Sequence, residues 1–150
     1  MQVKISTTLP CSSERAWREI QHINLLLHIA HPLVAFEPVE PNVFPATWSD
    51  ASYLVQMRVF GFIPFGEQWV AIKLNHEKFE LLDDGHSNLI KQWRHKITVQ
   101  RTSEGCTRYT DTIDIKAGIF TFGVWLFANV FFRHRQRRWR RLICNDFKYR

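Results

Sequence analysis

The chain has 150 residues, 45% of them apolar and 14% aromatic, with six Trp and twelve Phe; this suits one domain with a real core and excludes a disordered chain. The formal charge of +6 is unevenly placed: residues 133–150 hold eight Lys/Arg and one acid, a net +7, while residues 1–132 hold twelve Lys/Arg and thirteen acids, a net −1. Any reading as a binder of nucleic acid or of a membrane surface therefore rests on the C-terminal segment alone.

Val3 to Leu9 alternates and ends at Pro10, which predicts a first strand. Cys11-Ser-Ser-Glu14 then supplies a helix start, with a serine cap and an acid at the positive end of the dipole. The apolar phase changes between Trp17 and Ile29, so two short helices are expected, at about 13–21 and 23–30. From Leu33 to Lys116 the pattern is β. Candidate strands are 33–39, 43–48, 52–60, 66–75, 78–83, 89–100 and 106–116. They are separated by Pro41-Asn42, Ser49-Asp50, the Gly61-to-Gly66 loop, Asn75-His76, Asp83-Asp84-Gly85 and Ser103-Glu104-Gly105. Short separators imply an antiparallel meander.

The stretch from Ala117 to Arg150 reads as one long helix. Val124, Trp125, Ala128, Phe132, Trp139, Leu142 and Ile143 share one face. The opposite face carries Ile119, Phe122, Leu126, Phe127 and Val130, and then switches to Arg133, Arg137, Arg140 and Arg141. The apolar part of that face needs a cover, from the short helices or from a second subunit, so monomer and homodimer both stay open. The apolar run from Ala117 to Phe132 is shorter than the ~20 residues of a membrane span. Cys11, Cys106 and Cys144 are widely spaced free thiols by this reading. With no apolar signal core at the N-terminus, the expectation is a soluble cytoplasmic chain.

The order is strand, two short helices, six or seven strands and one long helix. It predicts a single α+β domain over residues 1–150, with a curved antiparallel sheet wrapped around the long helix. That order resembles the START/Bet v 1-like (SRPBCC) superfamily, the polyketide cyclase/dehydrase and lipid-transport group. Local patterns carry the likeness: Ile5-Ser-Thr-Thr-Leu-Pro10 before Ser-Ser-Glu-Arg-Ala-Trp17, Trp93-Arg94-His95 with Tyr109-Thr110-Asp111, and Ala117-Gly118 entering the aromatic, arginine-ended helix. The resemblance implies a helix-grip fold with an apolar cavity between sheet and helix. Members bind lipids, sterols or polyketide-like molecules, and some are enzymes. Fold alone does not choose among these.

Four groups of residues carry the chemistry. His95 and Asp111 sit in phase with the inward apolar positions of their strands. A register with Ile97 opposite Tyr109 and Trp93 opposite Ile113 sets His95 opposite Asp111. The pair reads either as a cyclase or dehydratase acid/base or as a self-satisfied buried pair. A second group is an aromatic lining for an apolar ligand: Trp48, Tyr53, Met57, Trp69, Trp93, Tyr109, Phe120 and Trp125. Arg58, with His95 and Asp111, would hold the ligand's polar end, although Arg58 is out of phase with Tyr53, Val55 and Met57. Phe62, Ile63 and Phe65 form a candidate gate or a plain hairpin tip. Arg133, Arg137, Arg140 and Arg141 form a solvated face or an anionic-membrane or protein contact. Nucleic acid is disfavoured because Trp139 lies on the core face. No metal or cofactor is implied: His28 and His31 have no carboxylate or thiol partner at ligand spacing. The reading as a whole is an apolar-ligand binder or carrier, with an enzyme and a surface-interaction module as alternatives.

Overall fold

A computed structural model describes residues 1–102 and 105–149. Its elements are β1 (Gln2–Leu9), α1 (Ser13–Ile20), α2 (Ile23–Ala30), β2 (Val34–Glu40), β3 (Ser52–Val59), β4 (Ile63–Asn75), β5 (Glu80–Ser87), β6 (Gln92–Arg101), β7 (Thr107–Lys116), a 3₁₀ turn (Gly118–Phe120) and α3 (Thr121–Cys144). The seven strands form one antiparallel sheet in the order β1-β7-β6-β5-β4-β3-β2. Each strand from β2 onward pairs with its successor, as sequential strands commonly do, while β1 closes onto β7.

The sheet curves because its inner face must cover a helix. On β7 the residues Tyr109, Asp111, Ile113 and Ile115 are buried, and on β6 His95, Ile97 and Val99. Against them α3 buries Ala128, Phe131, Phe132, Trp139, Leu142 and Ile143. The predicted inward face holds for Ala128, Phe132, Trp139, Leu142 and Ile143; Val124 and Trp125 are only half-buried, Phe131 joins the face, and Phe127, expected on the opposite side, packs against the core. Trp139 is fully buried, and truncating a core Trp of this kind costs about 3–5 kcal/mol. The helix starts later and ends earlier than the expected Ala117–Arg150, since Asp146 and Phe147 adopt positive φ and stop it. At α1 the Ser12 hydroxyl accepts the Arg15 N–H at 3.2 Å, and Trp17 stacks on Phe79.

Four strand expectations need correction. Residues 43–48 form no strand; only Thr47 bridges, to His22. Strand β4 begins at Ile63, so most of the expected Gly61-to-Gly66 loop is strand, and the turn is Phe60-Gly61-Phe62. Asp83-Asp84-Gly85 is the middle of β5, not a turn, and the break falls after Ser87 instead, so β6 starts at Gln92 rather than 89. A Cβ on Gly85 would meet the Trp69 carbonyl oxygen at 2.5 Å, so this glycine permits a close approach between strands. The β6–β7 register is two residues from the expected one: Trp93 pairs with Ile115, His95 with Ile113 and Ile97 with Asp111. Of the expected separator Ser103-Glu104-Gly105, the first two residues lie outside those described.

Candidate functional site

Between the inner face of the sheet and α3 lies a cavity of about 470 Å³. Its deep wall carries Trp48, Val70, Ile72, Leu81, Ile97 and Tyr109, and its roof Phe131 and Phe132 from α3. Ile20, Leu25, Leu26 and Ile29 of the two short helices close one side. The exposed lining residues are Ile63, Leu89, Phe120 and Gly123. They come from the start of β4, the β5–β6 connection and the start of α3, so the mouth lies there. Around it stand exposed apolar side chains: Phe62 is 74% and Ile119 92% accessible, and Phe122, Leu126 and Val130 continue along α3.

The polar side chains that touch or floor this cavity fall into two sets. In the first, Asp111 is saturated. Its Oδ1 accepts from His95 Nε2 at 2.7 Å and from the Tyr109 hydroxyl at 3.0 Å, and its Oδ2 accepts from Gln136 Nε2 at 2.9 Å. Gln136 Nε2 also reaches the Ile5 carbonyl at 2.8 Å, which ties α3 to β1. Burial disfavours the Asp111 charge, but its His95 partner, the field of Arg135 and the Gln136 bond outweigh this and hold its carboxyl below the usual range. Burial pushes the His95 imidazolium down, so the ring is neutral with its proton on Nε2. Tyr109 is pushed well up by burial and by the adjacent carboxylate.

The second set is Asp83, Gln68 and Arg135, all buried and all lining the cavity. The β4–β5 ladder skips Val70 and Ala71, and there Asp83 Oδ1 accepts the Ala71 N–H at 3.0 Å. Burial pushes the Asp83 carboxyl up to about 8, so it is a neutral acid at pH 7. Among the described residues, Gln68 Oε1 and Arg135 Nε are buried without a partner. The Arg135 guanidinium lies over the Phe132 ring, 4.8 Å from its centroid.

Of the residues singled out from sequence, Met57, Trp93, Tyr109, Phe120, His95, Ile63 and Phe65 line the cavity, as does Trp48. The expected meeting of His95 and Asp111 occurs, on a diagonal rather than across a pair. Five residues expected to contact a ligand do not line it, among them Asp111, whose oxygens are taken by protein donors. Trp69 is on the outer face of β4, because Gln68, Val70 and Ile72 take the inner phase. Arg58 is also outward and faces Glu37 at 3.5 Å. Tyr53 is buried in the core, its hydroxyl against Ser49 at 3.0 Å and its ring against Trp48. Trp125 reaches the Gln2 carbonyl at 2.9 Å and stacks on Phe122, outside the cavity. Phe62 points to solvent beyond the mouth. Arg133, Arg137, Arg140 and Arg141 are exposed. Sequence reasoning missed Asp83, Gln68, Arg135 and Gln136. The helical spacing of Phe131, Phe132, Arg135, Gln136 and Trp139 was the available signal for the last two.

Solved structures share this architecture. A START superfamily protein from Mycobacterium smegmatis aligns at TM-score 0.65 and 9% identity, over 93% of this chain and 94% of that one. The protein TTHA0849 from Thermus thermophilus aligns at 0.63 and 13%, over 93% and 97%. Protein CV1439 from Chromobacterium violaceum aligns at 0.65 and 13%, over 95% and 96%. At these identities the likeness establishes the START-like helix-grip fold and nothing finer. No curated protein matches the sequence. A sequence family matches residues 7–143, nearly the whole chain, and the protein is thus a member of the family described as Domain of unknown function (DUF8410).

Proposed function

We propose that this domain binds, and carries, an apolar small molecule in the cavity between its sheet and α3. The observation that carries the reading is the cavity itself: about 470 Å³ walled almost wholly by aliphatic and aromatic side chains, with a few polar groups at its inner end. Trp93, Tyr109, Met57 and Phe120 would contact the ligand, and Ile63 and Phe65 would gate it. The Asp111 set serves this as scaffold. A carboxylate already taking three donors holds strands and helix together and has little capacity left for acid/base work. No observation favours the cyclase or dehydratase alternative over binding.

The test is titration of the purified protein with N-phenyl-1-naphthylamine, a neutral apolar fluorophore. Saturable enhancement is expected, and it should weaken in Gly123→Trp. A Cβ at Gly123 meets nothing within 4 Å, so the new ring can fill the mouth without disturbing the fold. Absence of saturable binding to the parent protein overturns the reading.

A second reading has its own observation. The exposed apolar rim at the mouth continues along α3 into Arg133 and Arg137 on the same outer stripe. Apolar side chains beside cations suit an anionic membrane surface, where an apolar cargo would be loaded. Co-sedimentation with phosphatidylserine vesicles that is lost in Phe122→Ser/Leu126→Ser is the expected result. Equal retention of the parent and this variant would remove the membrane reading.

A further inference from the structure

The inner end of the cavity holds a charge without a partner. Arg135 is 6% exposed and lines the cavity. Among the described residues it makes no ion pair and no hydrogen bond, and its Nε is buried unsatisfied. The guanidinium lies beside the rings of Phe131 and Phe132, whose centroids are 5.6 and 4.8 Å from its carbon. Neither buried carboxylate within its field is paired with it: His95, Tyr109 and Gln136 take the oxygens of Asp111, and Asp83, which accepts the Ala71 N–H, is held protonated by burial. Buried cations are ordinarily paired, so an unpaired one facing an open cavity is completed by something that enters.

We propose that Arg135 is the counter-ion for the carboxylate of an apolar monocarboxylic acid held in the cavity. This rests on the cavity being an apolar-ligand site and names the class of ligand. The planar guanidinium fork matches a carboxylate with two parallel N–H···O bonds. A single charge fits a single cation: Arg135 is the only buried Lys or Arg among the described residues, so a doubly charged phosphate would be left half-compensated. Asp83 lines the same cavity as a neutral acid and can donate its own proton to such a head group, whereas an ionised Asp83 would repel it. The apolar walls and mouth then take the hydrocarbon.

The experiment displaces N-phenyl-1-naphthylamine at neutral pH with decanoic acid and with decan-1-ol, which share a chain and differ in charge. Decanoate should bind about tenfold to a hundredfold more tightly than the alcohol, the range expected for a hydrogen-bonded charge pair. Arg135→Met, which keeps the apolar stem and removes the cation, should bring the two within a few fold of one another while decanol still binds. Equal affinity of the parent for acid and alcohol, or a preference that survives in Arg135→Met, overturns the assignment of Arg135 and leaves the cavity reading standing. Binding of neither compound nor of the fluorophore overturns both. The parent comparison needs no variant, so a poorly folded Arg135→Met does not blunt the test.

Discussion

The two polar sets at the inner end of the cavity are built from the same kinds of residue and treated in opposite ways. Asp111 and Gln136 spend their hydrogen-bonding capacity on protein: two strands and α3 meet at one carboxylate. Among the described residues, the side chains of Asp83, Gln68 and Arg135 have one hydrogen bond between them, from the Ala71 N–H to Asp83. Both sets are buried, so burial is not the distinction. A satisfied network makes the fold unique, while polar groups left incomplete beside an open volume are where a ligand gains most. The difference separates scaffold from candidate site without reference to any homologue.

The largest effect should come from breaking the saturated set. Asp111→Ala removes the acceptor of three buried donors and is expected to cost about 3–5 kcal/mol in urea unfolding. Asp111→Asn should recover part of this by keeping one acceptor oxygen. A cost near that of a surface substitution would mean that the cluster is not the pillar described above. A matched pair of glutamines makes the comparison sharper. Gln136→Leu leaves the Asp111 Oδ2 without its donor and removes the side-chain tie to the Ile5 carbonyl, and should cost about 2 kcal/mol. Gln68→Leu removes a buried oxygen that has no partner and should change stability by no more than about 0.5 kcal/mol. Equal costs in the two would erase the distinction between the sets.

The sequence carries more of the scaffold than of the site, and the residues show why. His95 and Asp111 are legible because each keeps phase with large apolar neighbours on its strand. The register expected for them is two residues off, yet the contact survives, because a slip of two preserves the face and leaves partners diagonal. Asp83 is hidden inside Asp-Asp-Gly, which reads as a turn. In the fold Gly85 is needed for the approach of the Trp69 carbonyl, a long-range contact that local propensity does not encode. Trp69 reads as inward because Trp is usually buried, but the inner phase of β4 belongs to Gln68, Val70 and Ile72. Arg135 disappears into a basic run. Its position, four residues after Phe131 and four before Trp139, is a better guide than its charge.

The pH response is small and the most diagnostic, because the two sets should respond with opposite sign. His95 has its folded pKa below the ordinary 6.5, so its contribution is present above 6.5 and is lost as pH falls. Asp111, also lowered, loses its contribution only further into acid, below its ordinary 3.8. Asp83 is the reverse: raised from 3.8 to about 8, it stays protonated in the fold while the unfolded chain releases its proton. The folded state binds the extra proton across that window, so stability is present below 3.8 and falls as pH rises toward about 8. Between pH 6.5 and about 8 the Asp83 slope acts without opposition from the other two. Urea midpoints of the parent should decline there, by on the order of 1 kcal/mol in free energy, given partial relaxation around an ionised group. Asp83→Asn keeps an acceptor for the Ala71 N–H but cannot ionise, so its profile should be flat over the same interval and cross above the parent at the alkaline end. A parent profile as flat as that of Asp83→Asn would mean that Asp83 is already ionised and paired with Arg135. The two sets would then be equally satisfied, and the guanidinium would have no call on an entering carboxylate.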